Sequence, residues 1–174
     1  TQMLPAFRPD KALVVHQPEA FNHWGRALSA ASNVDIASFS DFLDALRKRH
    51  DFFHAMGCRL SDHGMNQCYA DFCDEKVAAA IFAKARKGKA ASPTEHAQFA
   101  TFMMVFFGQL DAAKGWTKQL HLGALRSNNT RLLAQLGPDT GIDSIGDFPR
   151  ASTLAAYLDR LDTDNTLPKT IIYN

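Results

Sequence analysis

Trp116-Thr117-Lys118-Gln119-Leu120-His121-Leu122-Gly123-Ala124-Leu125-Arg126-Ser127-Asn128-Asn129 is a short apolar run that delivers a histidine, an arginine and two asparagines into a polar turn. Trp116, Leu120 and Leu122 share one parity and His121 the other, so in a pleated strand the imidazole faces away from its leucine neighbours. That geometry aims it into a barrel or crevice. A second cluster, Ser61-Asp62-His63-Gly64, follows a brief Cys58-Arg59-Leu60 strand. The two together predict a parallel α/β protein with polar groups at strand C-termini, where such folds carry chemistry.

Two further strands are expected working outward. Met3 to Phe7 reads as a strand tail stopped by Pro9, and Leu167 to Asn174 carries the β-branched run of a buried strand. Helices fill the intervals. Pro18 to Ala31 suggests a short one. Phe39, Phe42, Leu43, Leu46, Phe53 and Met56 recur at helical spacing before Gly57, a C-terminal cap. Asp74 to Arg86 is Ala-rich, and Ser92-Pro93-Thr94-Glu95 is a capping box with proline at the first helical position, opening an apolar helix to Lys114. Another helix covers Ala151 to Leu161. The glycine-rich stretch Leu136 to Asp147 has neither phosphate-cradle spacing and reads as tight turns. The whole is one segment, residues 1–174, with a mostly helical region 18–114.

Bulk properties narrow the function classes. Nineteen basic residues stand against 18 acidic ones, giving a net charge of +1, which disfavours a nucleic-acid partner. No apolar run reaches membrane-span length, so no membrane partner is expected. Cys58, Cys68 and Cys73 are odd in number and lack CxxC spacing, which fits a reducing cytoplasm better than a disulfide framework.

Each candidate group has a bland counterpart. Arg8 offers a planar fork for a carboxylate, yet Arg8-Pro9-Asp10 is also a turn with a local salt bridge. Asp62 and His63 suit acid/base or metal work, but adjacent strand residues point oppositely and do not readily share a ligand. His121 is the stronger candidate, with a structural histidine as its alternative. Arg126, Asn128 and Asn129 offer donors to carboxylates and hydroxyls, or form an ordinary turn. Serine-hydrolase elbows and HExxH zinc motifs are absent from the sequence.

Taken in order, Phe7-Arg8-Pro9-Asp10, Cys58 to Gly64, Gly115 to Asn129, Leu136 to Asp147 and Leu167 to Tyr173 resemble the uronate (glucuronate) isomerases of the amidohydrolase superfamily, over about Leu4 to Asn174. The resemblance implies a metal-dependent (β/α)8 barrel that interconverts D-glucuronate with D-fructuronate and D-galacturonate with D-tagaturonate through an enediol-like intermediate. It implies Asp62 and His121 as catalytic groups, and Arg8, Arg126, Asn128 and Asn129 as substrate contacts. A divalent metal, zinc first, is implied for the full-length enzyme.

The family's His-x-His pair and its late Asp, which ligate that metal, have no counterpart here. Four strands are about half of the eight in a closed barrel of typically ~250 residues. The expectation is therefore an internal fragment, a partial TIM barrel with about four parallel strands and a large helical insertion. Alone it should be inactive, bind no metal, and self-associate through exposed strand edges. A superfamily hydrolase or decarboxylase of a related acid is the alternative chemistry. A non-catalytic helical module is the alternative class, and it predicts that Arg8, Asp62 and His121 do not converge.

Overall fold

The computed structural model describes residues 3–65, 67–147 and 149–173. Its centre is a parallel sheet of β1 (Leu60–Met65), β2 (Thr117–Leu122) and β5 (Lys169–Tyr173), in that spatial order. Phe7 extends it by one parallel bridge to Ser61, its N–H donating to Leu60 O at 3.2 Å and its carbonyl accepting from Asp62 N at 2.9 Å. The chain thus lays each parallel segment beside the previous one.

Helices fill the crossovers. A 3-10 turn (Asp10–Leu13), α1 (Pro18–Ser32) and α2 (Phe39–Ala55) precede β1; α3 (Glu75–Arg86) and α4 (Pro93–Lys114) join β1 to β2. The strand β1 therefore lies inside the region 18–114. β3 (Ala124–Leu125), α5 (Thr130–Leu136), β4 (Ser144–Ile145) and α6 (Ala151–Thr163) join β2 to β5.

Caps set the helix starts. The Ser38 hydroxyl accepts from Asp41 N while the Asp41 carboxylate accepts from Ser38 N, and Ser92 and Glu95 repeat the exchange at α4. Both satisfy donors that a helix N-terminus leaves open. Gly115 ends α4 at φ +63°, a left-handed conformation that glycine adopts without strain.

Phe21, Phe39, Phe42, Phe82 and Phe99 form an aromatic cluster among α1 to α4, and Phe7 meets Phe53, Phe107 and Trp116 edge-on nearer the sheet. α4 is buried around most of its circumference because it touches α3, the sheet and α6. Its contact with α6 is tight. A Cβ on Gly108 would stand 2.8 Å from the fully buried Leu161 side chain. Gly108→Ala is therefore expected to lower stability by about 1–3 kcal/mol through overpacking, despite alanine's better helix propensity, as read by a shifted urea midpoint.

Several elements differ from the sequence reading. The strand predicted at Cys58–Leu60 is Leu60–Met65, so Asp62 and His63 lie within it rather than after it. The Met3–Phe7 strand shrinks to the Phe7 bridge. The Asn-rich turn is the start of α5, and the glycine-rich connection contains β4, which pairs antiparallel with β3. The last strand is exposed rather than buried: among the described residues β5 pairs only with β2, and Ile171, Ile172 and Tyr173 remain over two-fifths accessible. Hydrophobicity had identified a strand that needs cover, and this chain does not provide it. Asn174 lies outside the described residues. No helix among the described residues is long and apolar enough to cross a membrane.

Candidate active site

Strand alternation sorts the sheet into two faces. Ser61, His63 and Met65 on β1, and Lys118, Leu120 and Leu122 on β2, are buried toward the helices. Asp62 and His121 occupy the opposite face. Parallel register sets Asp62 beside Gln119 and Gly64 beside His121, leaving Asp62 and His121 diagonal neighbours.

The long-range assembly is close. Asp62 Oδ2 lies 3.3 Å from Arg8 Nε, and Asp62 Oδ1 lies 2.9 Å from His121 Nε2. The Asp62 side chain is only 16% exposed, and its Oδ1 lacks an aligned hydrogen-bond donor among the described residues. Tyr173 stacks on His121, with centroids 4.5 Å apart and planes within 8°, and its hydroxyl accepts from the Gln119 amide at 3.2 Å. Residues from four separate parts of the sequence thus face one point.

Beyond the strand ends, Gly123 turns the chain at φ +84°, beneath the Arg150 guanidinium, which donates to Leu122 O at 3.0 Å. A cleft of about 330 Å³ opens there, lined by His121, Arg126, Asp143, Ser144 and Tyr173 among others. That is within the size range of small-molecule sites. A larger cleft, of about 1170 Å³, lies along α1 and contains none of the sequence-predicted site residues. The three loop candidates are engaged internally: Arg126 pairs with Asp143, the Asn128 amide donates to Ser144, and the Asn129 side chain caps α5 by accepting from Leu132 N at 3.0 Å. Arg126 alone of these three lines the cleft.

The described residues do not by themselves make a metal centre. Asp62 and His121 offer two donors, whereas an open catalytic zinc site takes three. No cluster of three His, Cys, Asp or Glu suited to an ion occurs among the described residues.

Compared with known proteins, residues 1–174 match the family model described as glucuronate isomerase. The chain belongs to the glucuronate isomerase family. It is 62% identical to a uronate isomerase of Opitutus terrae and 60% identical to one of Solibacter usitatus, in each case over 100% of this chain and 37% of the relative. Among solved structures, uronate isomerase from Thermotoga maritima superposes with a TM-score of 0.86 at 33% identity, over 98% of this chain and 37% of that one. Glucuronate isomerase from Caulobacter crescentus gives 0.82 at 26%, over 98% and 35%. The chain thus spans about 37% of the length of the curated relatives it matches.

Behind the site, this segment buries a polar network that the sequence reading missed. Lys118, fully buried, lies 2.8 Å from Asp111 Oδ2 and 3.0 Å from His63 Nε2. Asp111 also accepts from Ser61 Oγ at 2.6 Å and lies 3.1 Å from His50 Nε2. Burial alone would raise the Asp111 carboxyl, but Lys118 with these donors holds it down at about 2. The missed signal was phase: Lys118 shares parity with Leu120 and Leu122, and His50 follows Leu46 at helical spacing.

Burial, with Lys118 beside it, lowers the pKa of His63; burial and the nearby His16 lower that of His96 to about 4. Both rings bind protons more readily in the unfolded chain, whose ordinary histidine value is 6.5. Stability therefore rises with pH across the window between the folded and unfolded values. Acidification from about pH 6.5 toward 4 is expected to lower the Tm, and His96→Gln to shrink that drop, as checked by thermal unfolding over a pH series.

Proposed function

We propose that this segment carries part of the active site of a uronate isomerase that interconverts D-glucuronate with D-fructuronate, and D-galacturonate with D-tagaturonate, in the cytoplasm. The observation that carries the reading is the meeting of Arg8, Asp62 and His121 at 3.3 and 2.9 Å across segments distant in sequence. Aldose-ketose isomerisation moves a proton between adjacent carbons, so it needs a base near the substrate and a donor for the oxygen that gains charge. Asp62 Oδ1 and His121 Nε2 are the atoms assigned to hold and move that proton. Arg8 is assigned the substrate carboxylate or a hydroxyl. Arg126 is assigned an outer contact at the cleft, which Asn128 and Asn129 do not line.

The finer architecture belongs to the same proposal. Sequential parallel order and an uncovered β5 suit one arc of a (β/α)8 barrel, with Asp62 and His121 on its inner face. The implied divalent ion, zinc first, is assigned to ligands elsewhere in the full-length protein, and the segment alone is expected to be inactive and to self-associate through its sheet edges.

The test is an isomerase assay of the full-length protein with D-glucuronate and D-galacturonate, with and without added zinc or manganese. Conversion to the ketose is the expected result. A folded, metal-loaded protein that converts neither sugar would overturn the reading.

A further inference from the structure

We propose that Asp10 is the positioning residue for Arg8, fixing its guanidinium at the face of β1 where the substrate carboxylate binds. The proposal rests on the isomerase reading above. Asp10 opens the 3-10 turn directly after Pro9, and both its oxygens are engaged. Oδ1 lies 2.9 Å from His63 Nδ1; Oδ2 accepts from Gly64 N at 2.9 Å and lies 3.6 Å from Arg8 Nε.

Where Lys118 carries its proton, the ring behind Asp10 has one tautomer. A lysine ammonium can only donate, so with Lys118 charged opposite Asp111, His63 Nε2 must accept from it. The ring proton then sits on Nδ1 and donates to Asp10. His63 is fully buried and stacked on Phe107 with centroids 5.8 Å apart, and each ring nitrogen lies within 3.0 Å of a polar partner. The Asp10 carboxylate is thus held from two sides, by the Gly64 amide beside His121 and by the buried His63 ring on the opposite face of the sheet.

Arg8 is the member that needs holding. Its side chain is 55% exposed, and Asp10 and Asp62 flank it. It also passes close over the strand, since a Cβ on Gly64 would stand 3.0 Å from Arg8 Nη2. Asp10 acts from behind, at a point where a carboxylate's charge and direction matter more than its bulk.

The test uses the full-length protein bearing Asp10→Asn, Arg8→Met and both together. Asp10→Asn is expected to raise KM for D-glucuronate about tenfold with kcat within about twofold, and to add less than about twofold once Arg8 is already methionine. Gly64→Ala keeps the Asp10 side chain but sets a Cβ 3.0 Å from Arg8 Nη2 and 3.9 Å from Asp10 Oδ2, and is expected to raise KM a few-fold even where Asp10→Asn folds poorly. Additive effects in the double variant, or a fall in kcat with unchanged KM, would overturn the proposal. A parent protein with no turnover would instead sink the isomerase reading. Positioning is then read from exchange of the Arg8 Nε–H in arginine-labelled protein by NMR: faster exchange in Asp10→Asn supports it, and an unchanged rate overturns it.

Discussion

Asp62→Asn is expected to lower the isomerase kcat of the full-length protein by about 10²–10⁴-fold, the range typical of a positioned acid or base. The amide keeps the size of the carboxylate and one acceptor oxygen, so β1 and its register with β2 should survive. What it loses is the oxygen that stands 2.9 Å from His121 Nε2 without an aligned donor. It also loses the negative charge beside Arg8. The fall should appear in kcat rather than KM, because the substrate grip assigned to Arg8 retains Asp10. A variant with a wild-type melting curve and wild-type kcat would remove Asp62 from the chemistry. His121→Asn should fall by a similar factor, and the double variant by much less than the product, since the two groups act on one proton.

The second large effect is on stability. Asp111→Ala is expected to destabilise the protein by about 3–5 kcal/mol, the cost of leaving a buried charge without its partner. Burial already pushes the Lys118 pKa down, and loss of the carboxylate at 2.8 Å would force it either to hold an unpaired buried charge or to give up its proton. Ser61 and His50 would lose an acceptor as well. Since a domain's whole stability is about 5–15 kcal/mol, the change should be visible as a large fall in urea midpoint. Pairing Lys118→Met with Asp111→Leu should recover much of the loss, because apolar groups of similar volume often replace a buried ion pair at little cost. Equal urea midpoints for Asp111→Ala and the parent would mean that Lys118 finds solvent by another route.

Much of this was legible from local rules. The capping box at Ser92, the stop at Gly115 and the parity of His121 against Leu120 and Leu122 depend on residues a few positions apart, and each is found in the structure. What failed were judgements that need the rest of the molecule. The β-branched run at Lys169–Tyr173 names a strand correctly, but burial depends on what lies beyond it. Asn129 resembled a loop donor because its role as a helix cap depends on the short α5. Lys118 escaped notice because a lysine in a strand is ordinarily solvated; only its apolar parity, matched by an aspartate in an otherwise apolar helix, hinted at a pair.

The alternating faces of β1 and β2 carry a last consequence, for the fidelity of alignment. A slip of two residues between these strands would return every side chain to its own face, so the hydrophobic effect alone opposes it weakly. It would nonetheless shift His121 about 7 Å along the sheet, either to a position directly opposite Asp62 or twice as far from it along the strand. Lys118 makes such a slip costly. Its ammonium finds Asp111, Ser61 and His63 at one height only, opposite Ser61 in the observed register. The buried charge behind the sheet therefore keys the strands against each other like a tooth in a rack, and the spacing on the far face follows from that key.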